Sequence, residues 1–333
     1  MATEQSVLVS RILHAYGVDF KRVMPPQKGY RNESFPVICV DSTMVNLILY
    51  KREPGILEKI KAANAVSKYL HEHTFPARYA ISPRIIQLKA GDHLKYGALY
   101  NYLEGNTIPW EAYTQGHIKL AGKTMSDMHA SLAAFSYDPL PDVADEYLAV
   151  ASRMDSYFSN ASVQRALADK LLLRIRAGIF DSFAHLLTGS KLLPGKQPLH
   201  MDFVRSNILF QEDDGDFKVR ISGILDFEKT AYGNPLFDIA RTLAFLLVDC
   251  KYKDAVKVRK YFLGSGYIKR GAATLPSRYL GMLDPLVSLF LFYDFYKFLL
   301  HNPYESLSDN EHFIRTVELL IPQHLVVPTT PVA

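Results

Sequence analysis

The sequence predicts an α+β chain in two parts, a small β-rich lobe carrying one helix and a larger, mainly helical lobe. Three observations predict it. Short runs rich in β-branched and aromatic residues crowd the first part of the chain, apolar residues recur at helical spacing through most of the rest, and one turn-rich segment deep in the helical part is flanked by two short apolar runs. The texture changes near Gly105, so the expected lobes are residues 1–104 and 105–333.

In chain order, residues 35–40 and 45–50 read as strands separated by turn residues. A helix follows: Ile56, Ile60, Ala63, Val66 and Leu70 share one face, Pro54-Gly55 precedes them, and Pro76 stops the run. Residues 85–88 and 98–103 read as further strands. After Gly105 the helical candidates are 113–135, 143–159, 162–187, 235–250, 252–264, 280–300 and 309–320. The exception is a hairpin signal, in which 208–210 and 220–225 flank Glu212-Asp213-Asp214-Gly215-Asp216.

Composition excludes several classes of protein. With 333 residues, 48% hydrophobic and 22% charged, the chain can bury a sizeable core and is neither disordered, collagenous nor a disulfide scaffold. Lys+Arg 38 against Asp+Glu 34 leaves +4, too mild a bias to call for nucleic acid or an anionic membrane. Cys39 and Cys250 lie far apart without metal-ligand spacing, which fits reduced thiols in a cytoplasmic protein. The N-terminus carries Glu4 and Arg11 and no signal-peptide pattern. The apolar stretch 279–300 is interrupted by Asp284, Pro285, Asp294 and Lys297, so it reads as a buried helix rather than a membrane span.

The residues with chemistry flank the hairpin. Before it, His200-Met201-Asp202-Phe203-Val204-Arg205-Ser206-Asn207 forms H-x-D-x-x-x-x-N leading into an apolar strand; after it, an apolar strand ends in Asp226-Phe227-Glu228. Phosphoryl transfer needs a carboxylate to orient the acceptor hydroxyl and take its proton, and hard oxygen ligands for Mg²⁺. Asp202 suits the first need, Asn207 and Asp226 the second, with the hairpin folding one motif back beside the other. The competing reading makes the last two ordinary turn residues at the hairpin ends.

These motifs resemble those of the aminoglycoside phosphotransferase and choline kinase-like families, distant relatives of the protein kinases. The resemblance extends to Tyr232-Gly233-Asn234-Pro235-Leu236-Phe237-Asp238, to Lys28-Gly29-Tyr30-Arg31-Asn32 as a short nucleotide loop, to 46–51 as a lysine-bearing strand, and to Met128-His129 at a helix end, covering roughly residues 25–245. It implies a bilobal, protein kinase-like fold with ATP or GTP in the cleft, near the linker 100–103 that contains Tyr102. It also implies that Lys51 contacts the phosphates, that Gly29 and Asn32 shape the turn over them, that His200 orients the catalytic loop without moving a proton, and that Asp238 anchors that loop. Plainer readings are a strand-end charge for Lys51, a simple turn for Gly29 and a favourable helix-start acid for Asp238.

The sequence departs from the family's pattern at three places. Met201 stands where relatives usually have glycine, and Glu228 stands where protein kinases have glycine, so that it either holds a second metal or faces solvent. The helix acid that normally pairs the strand lysine is expected near Ala63 or Asn64; neither is acidic, and Glu58 lies earlier on the helix.

The expected activity is a small-molecule kinase moving the γ-phosphate of ATP or GTP, with Mg²⁺, to an acceptor hydroxyl. The alternative is a nucleotide-binding pseudokinase acting as an interaction module. A protein-side-chain kinase is disfavoured because nothing between Asp226 and Pro235 is long enough for an activation segment. Three features bear on the acceptor: Asp138, Asp142, Asp145 and Glu146 form an acidic stretch; Lys251, Lys253, Lys257, Arg259, Lys260, Lys269 and Arg270 a basic one; and Phe290, Phe292, Tyr293, Phe295 and Tyr296 offer either core packing or a cage for a quaternary ammonium.

Overall fold

A computed structural model describes residues 4–28, 32–51, 53–90, 93–212 and 219–329. The chain divides into two compact units, Met1–Thr107 with Asn207–Lys229, and Ile108–Ser206 with Thr230–Ala333. The first unit begins with α1 (Glu4–Ala15), β1 (Phe20–Val23), β2 (Gln27–Lys28), β3 (Glu33–Cys39), β4 (Met44–Tyr50), α2 (Ile56–Glu72), β5 (Ile86–Ala90) and β6 (His93–Asn101). These strands form one antiparallel sheet ordered β1-β3-β4-β6-β5, with β2 paired to β3.

The period-two alternation of strands sorts the residues of β4 between two cores. Leu47 and Leu49 pack with Phe35, Val37 and Leu99 against Leu8, Val9, Ile12 and Leu13 of α1. Ile48 and Tyr50 pack with Ala98 and Tyr100 against Ile56 and Ile60 of α2. Helix α1 is an addition to the expected elements, although Leu8/Ile12 and Val9/Leu13 are i,i+4 pairs.

The chain enters the second unit with α3 (Gln115–Leu132), α4 (Val143–Phe158), α5 (Ala161–Lys170), β7 (Leu173–Ile175), α6 (Ile179–Ser190) and β8 (Gln197–Leu199). The single helix expected over 162–187 is therefore two helices with a strand between them. Leu172 takes a left-handed conformation with φ 54°, and Gly178, at φ 72°, starts α6. Apolar periodicity ran through the break because the residues on either side pack toward the same core.

The chain returns to the first unit for the hairpin β9 (Ile208–Glu212) and β10 (Val219–Ile224), whose expected turn at 213–216 lies outside the described residues. Asn106 exchanges both backbone hydrogen bonds with Phe210 at 2.9 Å, Ser222 Oγ donates to the Glu104 carbonyl at 2.6 Å, and the Arg78 amide donates to the Ile224 carbonyl at 2.9 Å. These bonds bind the hairpin to the first unit, whereas the boundary expected at 104/105 assigned it to the second. They also explain Gly105: its φ is 131°, and a Cβ there would sit 2.3 Å from Ser222 Oγ.

The chain then completes the second unit with β11 (Ala231–Gly233), α7 (Leu236–Asp249), α8 (Ala255–Arg259), α9 (Leu280–His301), α10 (Glu311–Leu320) and β12 (Val326–Pro328). The helix expected over 252–264 is the short α8 continued by a π-helical segment, 260–268, packed closely on α3 at Gly122, where a Cβ would lie 2.1 Å from the Phe262 carbonyl oxygen. The core of α9 is aromatic, with Phe290, Phe292 and Phe295 fully buried. Among the described residues no helix is long and apolar enough to cross a membrane. Cys39 and Cys250 are both buried thiols.

Candidate active site

The segment from His200 to Asp202 lies in the second unit. β8 pairs antiparallel with β11, which brings the chain leaving β8 beside the start of α7. Asp238, in the first turn of α7 and fully buried, gathers the loop: its Oδ2 accepts from the His200 amide at 2.8 Å and its Oδ1 from the Met201 amide at 2.6 Å. His129 Nε2 donates to Oδ2 at 3.0 Å, which in the neutral ring leaves Nδ1 to accept the Tyr267 hydroxyl at 2.7 Å. Burial alone would raise the Asp238 pKa; the His129 bond, the two imidazoles and the His200 amide outweigh it and hold the carboxyl below the usual carboxylate value.

Met201 sits at φ 57°, so the loop reverses sharply between His200 and Asp202. The left-handed conformation, which favours glycine, is adopted here with a longer side chain, held by the two amide bonds to Asp238. The His200 ring is buried and its Nδ1 accepts the Asp202 amide at 3.1 Å. The Asp202 residue itself is only partly buried.

Near the loop lies a pair that sequence reading missed. Arg241 Nη1 and Nη2 donate to Asp294 Oδ2 and Oδ1 at 2.9 and 3.1 Å, and Lys297 stands 2.7 Å from Asp294 Oδ1. The Arg241 guanidinium lies 3.9 Å over the Phe245 ring, and Asp202 is among the acids that strengthen its hold on the proton. No spacing signals this pair, whose members are 53 residues apart. The same cations correct the cage reading: Arg241 stands 5.6 Å and Lys297 4.8 Å from the Tyr293 ring centre, so that ring already serves two cations, while Phe290, Phe292 and Phe295 are core.

Asn207 and Asp226, the residues expected to hold Mg²⁺, both lie in the first unit. The β9–β10 ladder ends with the Leu225 amide donating to the Asn207 carbonyl at 2.9 Å, so the hairpin does bring Asn207 beside the residue preceding Asp226. Asp226 adopts φ 60°, with its side chain 45% exposed. Arg78, buried, donates through Nη2 to Asp226 Oδ1 at 2.5 Å and lies 5.3 Å over the Tyr100 ring. Among the described residues no three His, Cys, Asp or Glu side chains gather as a metal cluster. One carboxylate and one amide suit Mg²⁺, a hard cation that keeps several waters and takes its remaining oxygens from nucleotide phosphates.

Glu228 is held inward. Its Oε1 is 2.9 Å from the Tyr50 hydroxyl, which is 2.6 Å from the Tyr100 hydroxyl, which is 2.8 Å from Asn64 Oδ1 on α2. Burial first, and the Asp226 charge second, push the Glu228 carboxyl up to about 7, while the hydrogen bond donated by Tyr50 favours its charged form. The contact with Tyr50 corrects the solvent-facing reading of Glu228.

Of the expected nucleotide residues, Asn32 and Lys51 meet through the backbone, the Lys51 amide donating to Asn32 Oδ1 at 3.3 Å. The Lys51 side chain is exposed one residue beyond β4, while the inward strand-end position belongs to Tyr50. Tyr102 follows β6 and is partly buried. Gly29 lies outside the described residues.

Comparison with known proteins gives a consistent picture. The family model for the phosphotransferase enzyme family matches residues 22–255. No curated protein matches the sequence. Among solved structures, the chain is similar to the amicoumacin kinase hAmiN in complex with AMP-PNP, Ca²⁺ and Ami, at TM-score 0.70 and 13% identity over 99% of this chain and 96% of that one. It is similar to the microcompartment-associated aminopropanol kinase at TM-score 0.66 and 14% identity over 94% and 96%. It is also similar to APH(2")-IIia in its GDP and kanamycin complex, at TM-score 0.57 and 17% identity over 96% and 98%. The fold is that of these small-molecule kinases.

Proposed function

The chain belongs to the phosphotransferase enzyme family, and on that premise we propose that it transfers the γ-phosphate of ATP or GTP to a hydroxyl of a small molecule. The observation that carries this reading is the loop geometry: Asp238 fixes the His200 and Met201 amides, His200 fixes the Asp202 amide, and Asp202 stands partly buried on the loop these bonds hold.

In this reading Asp202 orients the acceptor hydroxyl and accepts its proton as the oxygen attacks the γ-phosphorus in line and the bond to the β-phosphate oxygen breaks, releasing the nucleoside diphosphate. Asn207 and Asp226 are the ligands for Mg²⁺, which when bound offsets charge on the transferring phosphoryl group. Asn32 shapes the turn at the phosphates, with Gly29 and Tyr102 as further nucleotide contacts. The neighbours' names point to acceptors bearing both hydroxyl and amino groups, amicoumacin, aminopropanol and kanamycin among them.

A second reading, a nucleotide-binding module without transfer, draws support from the exposed Lys51 and the absence of an acid at Ala63 or Asn64. Incubating the protein with γ-labelled ATP or GTP, Mg²⁺ and a panel of amino alcohols, aminoglycosides and sugars separates the two. Label transferred to an acceptor supports the kinase; Mg²⁺-dependent nucleotide binding with no labelled acceptor supports the module.

A further inference from the structure

We propose that Arg78 is a positioning residue of the nucleotide half, acting by holding the Asp226 carboxylate, and that Mg²⁺–nucleotide binding depends on this arginine more than on Lys51. The inference rests on the reading above that Asp226 holds the metal.

A guanidinium taken out of water is tolerated only when acids and acceptors surround it. Arg78 is 8% exposed, and the groups facing it are Asp226, Glu228, Tyr50 and Tyr100. Its link to Asp226 begins in the backbone: the Arg78 amide donates to the Ile224 carbonyl, two residues before Asp226, and the Ile224 amide donates to the Pro76 carbonyl at 2.8 Å. The arginine and the aspartate therefore rise from two segments bonded to each other, and the side-chain contact follows from that register.

The contact divides the carboxylate. Arg78 engages Oδ1 from the buried side, while nearly half of the Asp226 side chain remains exposed. Asp226 stands at φ 60°, and the planar guanidinium bonded to its Oδ1 sets where the exposed face points. Lys51 has no comparable seat. Its side chain is exposed past the end of β4, and the buried end of that strand, Tyr50, joins the hydroxyl chain to Glu228. The fixed cation expected from the strand comes instead from the segment after α2.

The test is equilibrium binding of a fluorescent ATP analogue, titrated against Mg²⁺, for the wild type and for Arg78→Met, Arg78→Lys, Lys51→Met, Asp226→Asn and the Arg78→Met/Asp226→Asn double variant, each with its melting temperature. Arg78→Met is expected to raise both the nucleotide Kd and the half-saturating Mg²⁺ concentration at least tenfold, Arg78→Lys to recover part of each, and Lys51→Met to change either by no more than about threefold. In the Asp226→Asn background, Arg78→Met is expected to add less than about twofold, because its action runs through the carboxylate. A lowered melting temperature with an unchanged Mg²⁺ requirement would mean a merely structural arginine and overturn the proposal, as would a full additive loss in the double variant. If Arg78→Met does not fold, the Arg78→Lys cycle with Asp226→Asn decides by the same criterion. A wild type with no Mg²⁺-dependent nucleotide binding would overturn the functional reading and this proposal together; normal wild-type binding with an indifferent Arg78→Met overturns the proposal alone.

Discussion

Asp238 shows how much one buried side chain can organise. Its two oxygens receive the amides of His200 and Met201 and the His129 ring. Asp238→Asn replaces an acceptor with an amide that must point two hydrogens at existing donors, so it is expected to cost about 3–5 kcal/mol of stability at neutral pH, measured by denaturant unfolding. The pH dependence has a definite sign. The Asp238 pKa is depressed in the fold, so its contribution is complete above the unfolded carboxylate value and is lost as pH falls through the lower folded value. The gap between wild type and Asp238→Asn should therefore close on acidification, and a gap that widens would contradict this account.

Legibility at this scale follows sequence distance. Asp202, Asn207, Asp226 and Asp238 stood out because they lie within one stretch of chain whose spacing matches a chemical requirement, and of these Asp238 is seen to bond the loop amides. Arg78 was not, since its partner Asp226 is 148 residues away and neither residue marks the other. The Arg241–Asp294 pair was hidden for the same reason. Lys51 was readable as a cation near a strand end, but which face that strand end presents depends on where β4 stops, and it stops at Tyr50.

Among the elements, the β9–β10 hairpin carries the most consequence, because its ladder fixes Asn207 against Leu225 while Asn106 and Ser222 fix it to the first unit. Gly105→Ala tests that attachment: the added methyl meets Ser222 Oγ and the Phe210 carbonyl in a backbone conformation unfavourable to alanine. It is expected to destabilise by about 1–3 kcal/mol and to weaken Mg²⁺–nucleotide binding with it. Gly122→Ala, on α3 against the Phe262 carbonyl, should cost a similar amount, about 1–3 kcal/mol, with nucleotide affinity unchanged in the folded fraction. Equal effects of both on nucleotide binding would contradict a specific role for the hairpin attachment. Helix periodicity located α2, α3, α4, α7, α9 and α10 in the sequence. It failed at 162–187, where a left-handed Leu172 and a tight Gly178 break the backbone without breaking the apolar pattern.

Taken over the whole chain, charge proves a poor guide to the acceptor. Of the acidic stretch, Asp142 caps α4 and pairs with Lys196 at 3.1 Å, and Asp145 pairs with Lys191. Of the basic stretch, Lys251 pairs with Glu311 and Arg259 with Asp284. These four charges are paired within the second unit, and the mild +4 names no acceptor. Nucleotide binding is more accessible: at a concentration about 100 times Kd, Mg²⁺–ATP or Mg²⁺–GTP should stabilise the fold by about 2.7 kcal/mol, seen as a raised melting temperature that EDTA abolishes. The nucleotide giving the larger shift identifies the donor, and no shift with either would contradict nucleotide binding.

On the proposed reading, Asp202 acts on the acceptor and not on the nucleotide. The most direct measurement compares turnover and nucleotide affinity for wild type and Asp202→Asn with the same labelled nucleotide and acceptor. The account expects kcat to fall by at least about a hundredfold while the nucleotide Kd changes less than about twofold. Turnover that survives the substitution, or a loss explained entirely by weaker nucleotide binding, would contradict it.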